Sequence, residues 1–349
     1  MPSTRAEVDA HLAGFLQGKA RAAAEQGMPG EVVEVLSDFL FAGGKRVRPL
    51  LCVMGWHAAR GEGPARPVVR VAASLEMFHA FALVHDDIMD ESETRRGKPT
   101  VHRAFTTRHT SGRSDAAAVR LGASAALLVG DLALAWSDEL LHTAGLTPEQ
   151  LAEVVPVIDT MRTEVMYGQY LDLLAAGRLD ADVDRALAIA RYKTAKYTVE
   201  RPLHIGAALA GAGPVLLEAL SAYALPLGES FQLRDDLLGA LGDPATTGKP
   251  DDGDLREGKH TVLLSLALQQ ASPAQARTLR RLIGHGGLDA GGAREARTTL
   301  LATGAPAAVE EMITERHRQA LAALNTAALP AAVTRVLGRL ADDLTHRAW

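Results

Sequence analysis

The sequence contains very little cysteine and few aromatic residues. Cys52 is the only cysteine in 349 residues, which excludes an internal disulfide and fits a reducing compartment such as the cytoplasm. Aromatic residues make up only 4%, and no segment shows the apolar and polar alternation of a half-buried strand. Alanine and leucine are abundant instead, and both favour helices. The composition therefore predicts an all-α protein, which we interpret as one domain covering residues 1–349.

The chain also lacks an excess of positive charge and an uninterrupted apolar run. Its net charge of -5 argues against general nucleic-acid binding, which needs a basic face. The N-terminus lacks the basic and then apolar plan of a signal peptide. The longest apolar region, Ala116 to Trp136, is interrupted by Arg120 and Asp131, so we expect no membrane span. These absences predict a soluble, cytoplasmic protein without a nucleic-acid partner.

Glycines and capping residues mark several predicted helix ends. Gly43 and Gly44 predict the end of a helix that begins near Glu31. Asp182 and Ser272 have the character of N-cap residues and predict two further helix starts.

An acidic stretch lies near the centre of the N-terminal half. An apolar run leads into Asp86, Asp87 and Asp90, and a loop with Arg95 and Arg96 follows. In a helix, residues 86 and 90 share one face, where two carboxylates repel unless a cation lies between them. Mg²⁺ prefers oxygen ligands, and guanidinium groups bind phosphate oxygens. The stretch predicts a magnesium and phosphate site, the alternative being a solvated acidic helix end.

A basic turn precedes this stretch. Lys45, Arg46 and Arg48 lie between two glycines and Pro49, which suits the first turn of a following helix. Amides at a helix start beside cationic side chains form an anion site. The alternative is a solvated basic loop.

A second acidic stretch, Phe231 to Thr261, has the same plan. A helix ends in Asp235 and Asp236, and a loop with Lys249 and Lys259 follows. Two such helix ends facing each other would hold metal ions around one polyphosphate. The alternative is a helix terminus and a charged surface loop.

Taken together, these segments resemble the all-trans isoprenyl diphosphate synthases, the polyprenyl synthetase family. The resemblance runs from about Gly43 to Thr261 and rests on five segments in the family's order: GGKRVRP, DDIMD with RRGKPTVH, GQYLD, YKTAKYT, and FQLRDD with GKPDDGDLREGKHT. It implies a bundle of long helices around a deep central cavity (the isoprenoid synthase fold) and a homodimer. It also implies Mg²⁺-dependent condensation of an allylic diphosphate with isopentenyl diphosphate.

The resemblance assigns roles to individual residues. It implies that Lys45, Arg48, His79 and Arg96 bind isopentenyl diphosphate. Asp86 and Asp90 would hold two Mg²⁺ ions on the allylic diphosphate with support from Asp87, and Asp235, beside Asp236, would hold a third. The residues implied for the allylic diphosphate and the reacting carbons are Arg95, Lys193, Thr194, Gln232, Lys249 and Lys259, with Lys193 counted among the catalytic residues.

One position departs from the family pattern. The second acidic motif usually has a third aspartate four residues after its first, and here that position is Gly239. The missing carboxylate puts the strength of metal binding there in doubt.

Product length is implied by residues on the Asp86 helix. Phe78 and Phe81 would form the floor beneath the growing chain, and the small Ala82 leaves space. This combination favours a short-chain product, geranylgeranyl diphosphate first, with farnesyl or a twenty-five-carbon diphosphate as alternatives. The phenylalanines would otherwise simply pack the core.

The implied reaction ionises a C–O bond to an allylic carbocation and diphosphate, and the departing diphosphate would take the final proton. Two rival readings remain. A class I terpene cyclase shares the first acidic motif, but the second metal motif of cyclases is not found. A non-catalytic subunit of a heteromeric synthase would typically lose its acidic motifs, whereas this chain keeps most of them.

Overall fold

The computed structural model describes residues 2–62, 65–242, 253–284 and 287–346. Within these ranges the chain is helical apart from connecting turns and one antiparallel pair of two-residue strands. The predicted all-α class is confirmed. The strand pair was not predicted, because two residues are too few to show an alternating pattern.

The described residues form two compact units. The first contains Met1–Val53 and Glu62–Leu151, and the second contains Met54–Gly61 and Ala152–Trp349. The prediction that residues 1–349 form a single domain stays a prediction, and the two units are described separately below.

The first unit is built around two long helices. Its elements are α1 (Pro2–Glu25), α2 (Glu31–Phe41), the start of α3 (Val47–Ala58), α4 (Arg66–Met89), β1 (Thr94–Arg95), β2 (Lys98–Pro99), α5 (Val101–Arg108), α6 (Asp115–His142) and the first turn of α7 (Pro148–Ala175). Helix α4 packs along α6. A Cβ atom at Gly130 of α6 would collide with the ring of His85 on α4, so glycine permits this close approach.

The second unit contains the rest of α7 and the C-terminal helices. In chain order these are α8 (Val183–Ile189), a π-helix (Ala190–Glu200), α9 (Arg201–Leu209), α10 (Pro214–Leu241), α11 (Gly253–Glu257), α12 (Val262–Gln270), α13 (Pro273–Leu282), α14 (Ala290–Thr303), α15 (Ala305–Thr326) and α16 (Ala331–Thr345). Helix α10 packs against both the π-helix and α15. Leu233 and Leu237 of α10 are fully buried there with Leu263, Leu300 and Val309.

The predicted helix ends agree with the structure. Helix α2 ends at Phe41, and Gly43 and Gly44 follow with φ angles of 110° and 127°, which favour glycine. The Asp182 side chain accepts a 2.9 Å hydrogen bond from the backbone N–H of Arg185. Ser272 forms a capping box with Gln275.

Two described helices are long and apolar enough to cross a membrane by length and composition alone. Helix α4 is 72% buried in its most apolar window, as expected of a core helix, whereas α6 is 33% buried in its own. Such helices are weak indications of a span, and the expectation of no span stays a prediction.

Candidate active site

The basic turn between α2 and α3 separates its cations into two groups. Arg46 is 4% exposed and points inward. It donates hydrogen bonds of 2.7 Å to Asp9 and to Glu76 and one of 2.8 Å to the Leu40 carbonyl. Lys45 is exposed, and Arg48 is half-buried. Arg46 therefore fixes the turn, while Lys45 and Arg48 remain the candidates for binding an anion.

Arg96 joins this turn from the hairpin. Its Nη1 atom donates a 2.6 Å hydrogen bond to the Gly43 carbonyl, and a Cβ atom at Gly44 would lie 3.1 Å from that nitrogen. Arg96 and Gly97 connect β1 to β2, with φ angles of 53° and 74°, as in a type I′ turn. The hairpin thus holds the Arg96 guanidinium against the basic turn, as the resemblance implied.

His79 of α4 lies within the field of the same cations. Burial lowers its pKa well below the ordinary value, and the charges of Arg48, Arg96, Arg95 and Arg46 lower it further. Burial also lowers the pKa of Arg96, and neighbouring arginines add to that effect. Because like charges are concentrated here, a bound diphosphate would relieve their repulsion. The structure brings His79, Arg48 and Arg96 together in the first unit.

The first acidic motif occupies the C-terminal end of α4. The backbone N–H of Asp90 donates a 2.9 Å hydrogen bond to the Asp86 carbonyl, so these residues are one helical turn apart. Asp87 is fully buried between them. Arg95 donates a 2.8 Å hydrogen bond from Nε to Asp87, and its Nη2 atom lies 2.7 Å from Asp87 and 3.4 Å from Asp86. Arg95 thus anchors the carboxylates, a contact that was not predicted from the sequence.

The titration of this cluster reflects burial. Burial raises the pKa of the Asp87 carboxyl, the hydrogen bond and charge of Arg95 oppose that shift, and the charges of Asp86 and Asp90 add to it. Burial also opposes the charge on Arg95, but the Asp87 carboxylate raises its pKa above the ordinary value. The Oδ2 atom of Asp87 is buried without a hydrogen-bond partner among the described residues. Several carboxylate oxygens lie close together here, and Arg95 already neutralises part of their charge. Such oxygens suit a hard divalent ion such as Mg²⁺.

The Tyr192 to Thr198 segment lies in the π-helix, and glycines bring two helices close to it. A Cβ atom at Gly168 of α7 would collide with the backbone of Lys193, and one at Gly228 of α10 would collide with Ala195. The Lys193 Nζ atom donates a 2.6 Å hydrogen bond to Asp172 of α7. Asp172 belongs to the GQYLD segment, and the sequence alone did not predict its contact with Lys193.

Thr194, Gln232 and Asp236 form a hydrogen-bonded chain. The Thr194 hydroxyl donates a 2.6 Å hydrogen bond to Oε1 of Gln232, and Nε2 of Gln232 donates a 2.7 Å hydrogen bond to Asp236. Gln232 and Asp236 are four residues apart on α10, which explains their contact. Asp236 is 8% exposed and Asp235 is half-buried. Three of the predicted site residues are therefore brought together in the second unit.

Arg234, between Gln232 and the aspartates, has a structural role that the sequence did not reveal. It makes two hydrogen bonds of 2.6 Å and 2.7 Å to Glu310 of α15 and donates a 2.8 Å bond to the Thr345 carbonyl of α16. Its partners lie 76 and 111 positions away along the chain. No local spacing indicates such contacts, although a buried arginine beside two aspartates suggests some ion pair.

The remaining predicted residues of the second stretch are partly described. Lys259 lies 3.0 Å from Glu257. Gly239 is on α10, which ends at Leu241. Lys249 lies outside the described residues, and its predicted contact with the allylic diphosphate stays a prediction.

The residues predicted to set product length lie on α4 within the first unit. Phe78 is 1% exposed and Phe81 is 9% exposed, with ring centroids 5.2 Å apart. The Phe81 ring also meets His85 edge-on at 4.8 Å. Ala82 is half-buried. Phe78 is thus buried within its own unit, and the role of Phe78, Phe81 and Ala82 in product length stays a prediction.

Comparison with known proteins yields consistent relatives. The polyprenyl synthetase family model matches residues 30–300. The chain is 35% identical to the geranylfarnesyl diphosphate synthase of Aeropyrum pernix over 233 residues, and this match covers 66% of this chain and 68% of that protein. It is 34% identical over 262 residues to the geranylgeranyl diphosphate synthase of Saccharolobus solfataricus, covering 73% and 72%.

A solved structure is similar over almost the whole length. It is the geranylgeranyl pyrophosphate synthase of Corynebacterium glutamicum, complexed with isoprenyl diphosphate and magnesium. The TM-score is 0.93 with 42% sequence identity, and the match covers 98% of each chain.

Proposed function

The chain belongs to the polyprenyl synthetase family, and on that premise we propose that it condenses isopentenyl diphosphate with an allylic diphosphate. The product is a short-chain all-trans prenyl diphosphate, and we propose geranylgeranyl diphosphate. The relatives of the chain are prenyl diphosphate synthases, which supports this proposed activity. The observation that carries the proposal within the chain is the pair Asp86 and Asp90, held one turn apart beside the anchored Asp87.

The first unit would bind both the metal and isopentenyl diphosphate. Asp86 and Asp90 would hold two Mg²⁺ ions, and Asp235 in the second unit would hold a third. When bound, Mg²⁺ stabilises the negative charge that develops on the leaving diphosphate. Lys45, Arg48 and Arg96 supply positive charge for isopentenyl diphosphate, and His79 offers a neutral ring N–H. Burial lowers the pKa of His79, and the charges of Arg48 and Arg96 add to that effect.

The second unit would position the allylic substrate. The hydrogen bond to Asp172 holds the Lys193 ammonium group in one position. The hydrogen bonds to Thr194 and Asp236 hold the oxygen and the nitrogen of the Gln232 carboxamide. The second lone pair of its carbonyl oxygen is available to a positively charged carbon. No residue of the motifs is an obvious base for the last proton, so the released diphosphate would accept it.

A direct assay tests this proposal. The protein is incubated with Mg²⁺, isopentenyl diphosphate and each allylic primer in turn, and product chain length is measured. We expect geranylgeranyl diphosphate as the main product. Cyclic hydrocarbon formed without isopentenyl diphosphate would indicate a terpene cyclase instead, and no turnover with any primer would favour a non-catalytic subunit.

The product floor is tested separately with Phe81→Ala. Removing this ring beneath the substrate should lengthen the product by one or more five-carbon units, and Phe105→Ala, a buried phenylalanine of α5, serves as the control. An unchanged product distribution in Phe81→Ala would refute the floor model. A twenty-five-carbon product from the unmodified protein would favour the activity named for the Aeropyrum relative.

We also propose that the protein is a homodimer that pairs through α6. Leu128 and Leu132 lie four residues apart on this helix and are 61% and 36% exposed, with Leu127 beside them at 49%. An apolar helix left largely uncovered by its own chain suits burial against a second copy. Light scattering should show Leu128→Glu shifted to monomer and Leu301→Glu, at a 54% exposed leucine of α14, unshifted. A monomeric protein that binds liposomes would contradict the dimer.

A further inference from the structure

Three potential metal ligands meet on the C-terminal helices, apart from every residue assigned above. His317 lies on α15, Asp342 lies near the end of α16, and His346 directly follows α16. One ligand atom from each of the three lies within 4.8 Å of the other two. Asp342 and His346 are four residues apart, so the helical repeat places them on one face, and the neighbouring helix supplies the third group.

Existing contacts already orient these side chains. The Nε2 atom of His317 lies 3.0 Å from Oδ1 of Asp342. The rings of His317 and His346 are perpendicular, with centroids 4.9 Å apart. The Nδ1 atom of His346 lies 3.1 Å from the Thr345 hydroxyl and 3.2 Å from the Asp342 carbonyl. Tetrahedral zinc holds nitrogen and oxygen ligands at about 2.0–2.2 Å, which separates the ligands by about 3.3–3.5 Å. Small side-chain rotations therefore bring the three groups to coordinating distance.

We propose that His317, Asp342 and His346 form a binding site for Zn²⁺ or a similar nitrogen-binding divalent metal, with water as the fourth ligand. Two imidazoles and one carboxylate suit zinc, whereas Mg²⁺ prefers an octahedron of oxygen atoms. The metal replaces the hydrogen bond between His317 and Asp342 and takes the ring nitrogen in its unprotonated form.

The location indicates what bound metal does. Arg234 already links α10 to Glu310 of α15 and to the Thr345 carbonyl of α16. Glu310 precedes His317 by seven residues, or about two helical turns, and Thr345 is adjacent to His346. An ion at this site therefore clips the middle of α15 to the C-terminal end of α16, near the contacts by which Arg234 holds both helices against α10. The proposal does not depend on the proposed enzymatic activity.

Metal binding to the full chain tests the site. Metal-free protein is titrated with Zn²⁺ by calorimetry in the presence of excess Mg²⁺. We expect one Zn²⁺ per chain, and a visible absorption band when Co²⁺ is used instead. His317→Ala and His346→Ala should each weaken Zn²⁺ binding by about tenfold or more, since losing even an outer-shell partner costs 10–100-fold. Asp342→Asn should weaken it less while keeping an oxygen acceptor for His317.

Matched controls separate this site from other ligands. His142→Ala, at an exposed histidine of α6, should bind Zn²⁺ like the unmodified protein, and so should a variant with alanine at both Asp86 and Asp90. Zn²⁺ should raise the melting temperature of the unmodified protein but not of the His317→Ala, His346→Ala double variant, and prenyl transfer with Mg²⁺ should be the same in both. Equal Zn²⁺ binding in that double variant, displacement by Mg²⁺, or no uptake would each overturn the proposal.

Discussion

In each acidic motif the second of two adjacent aspartates is buried, but the two buried aspartates have different hydrogen-bond partners. Asp87 in the first unit is fully buried and bonded to the charged guanidinium of Arg95. Asp236 in the second unit is 8% exposed and bonded to the neutral amide of Gln232. The first motif therefore carries a cation that limits repulsion before metal arrives, whereas the described contact of Asp236 in the second motif orients the Gln232 carboxamide. Similar sequence plans thus serve different physical purposes.

The largest expected effect comes from removing a metal-binding carboxylate in the first motif. Asp86→Asn should lower kcat about 10³-fold, comparable to the loss of a strong electrostatic contact, because Asp86 is proposed to serve two ions. Asp235→Asn, proposed to affect one ion, should lower kcat less. Steady-state kinetics measures both, with Asp159→Asn, an exposed residue of α7, as the control.

Measuring isopentenyl diphosphate binding shows whether Asp86→Asn loses only its proposed metal-binding role or disturbs the folded site as a whole. Binding should weaken far less than turnover in Asp86→Asn, since Lys45, Arg48 and Arg96 remain. Equal losses of binding and turnover, or a larger kinetic effect at Asp235, would reverse the proposed ranking of the two motifs.

A smaller effect is expected on the unfolding free energy of the protein when either buried aspartate loses its partner. Arg95→Met leaves the Asp87 charge without its cation, which should cost about 3 kcal/mol of unfolding free energy. Gln232→Leu removes one neutral donor from Asp236 and should cost about 1 kcal/mol. Urea denaturation measures both, and Arg318→Met, which breaks an exposed pair with Glu315, should leave the unfolding free energy nearly unchanged because surface ion pairs contribute little. If the two site variants cost the same, the distinction between the partners fails.

The smallest effect is the pH dependence of stability that His79 contributes in the first unit. Burial and neighbouring arginines lower the pKa of His79 in the folded protein, whereas the unfolded chain titrates near 6.5. Below that pH the unfolded state binds a proton that the folded state does not, so stability falls as the pH falls.

His79→Gln cannot take up this proton. Between pH 6.5 and 5.5 the unmodified protein should lose about 1 kcal/mol more stability than His79→Gln, as measured by denaturation at both pH values. Contributions from other histidines are common to both proteins and cancel. Parallel pH profiles would show that the arginines around His79 do not act on it as described.

The sequence predicted what depends on short spacing. Helix ends at Gly43 and Asp182, the turn between Asp86 and Asp90, and the all-helical class all follow from residues close together in the chain. It did not predict that Arg46 points inward, because its partners Asp9 and Glu76 are 37 and 30 residues away. Spacing rules reach only the neighbouring helical turn, so contacts between helices stay hidden.

The π-helical segment was missed for the same reason. Its residues have an ordinary helical pattern, and the signals that accompany it, Gly168 and Gly228, lie on other helices. Those glycines were visible in the sequence, but their meaning depends on which backbone approaches them. The motifs around Lys193 and Gln232 could therefore be located, while the hydrogen-bond chain that joins Thr194 to Asp236 could not.

The helical run from Val183 to Leu209 contains this π-segment from Ala190 to Glu200 without a break. Because a π-helix winds more widely than an α-helix, its length sets the direction around the helix axis in which Arg201 and the residues after it point. Deleting one residue there would turn everything downstream about the helix axis and would carry Arg201 away from Glu164, to which it makes two 2.7 Å bonds. Homologous chains should therefore tolerate substitutions in this stretch far better than changes in its length.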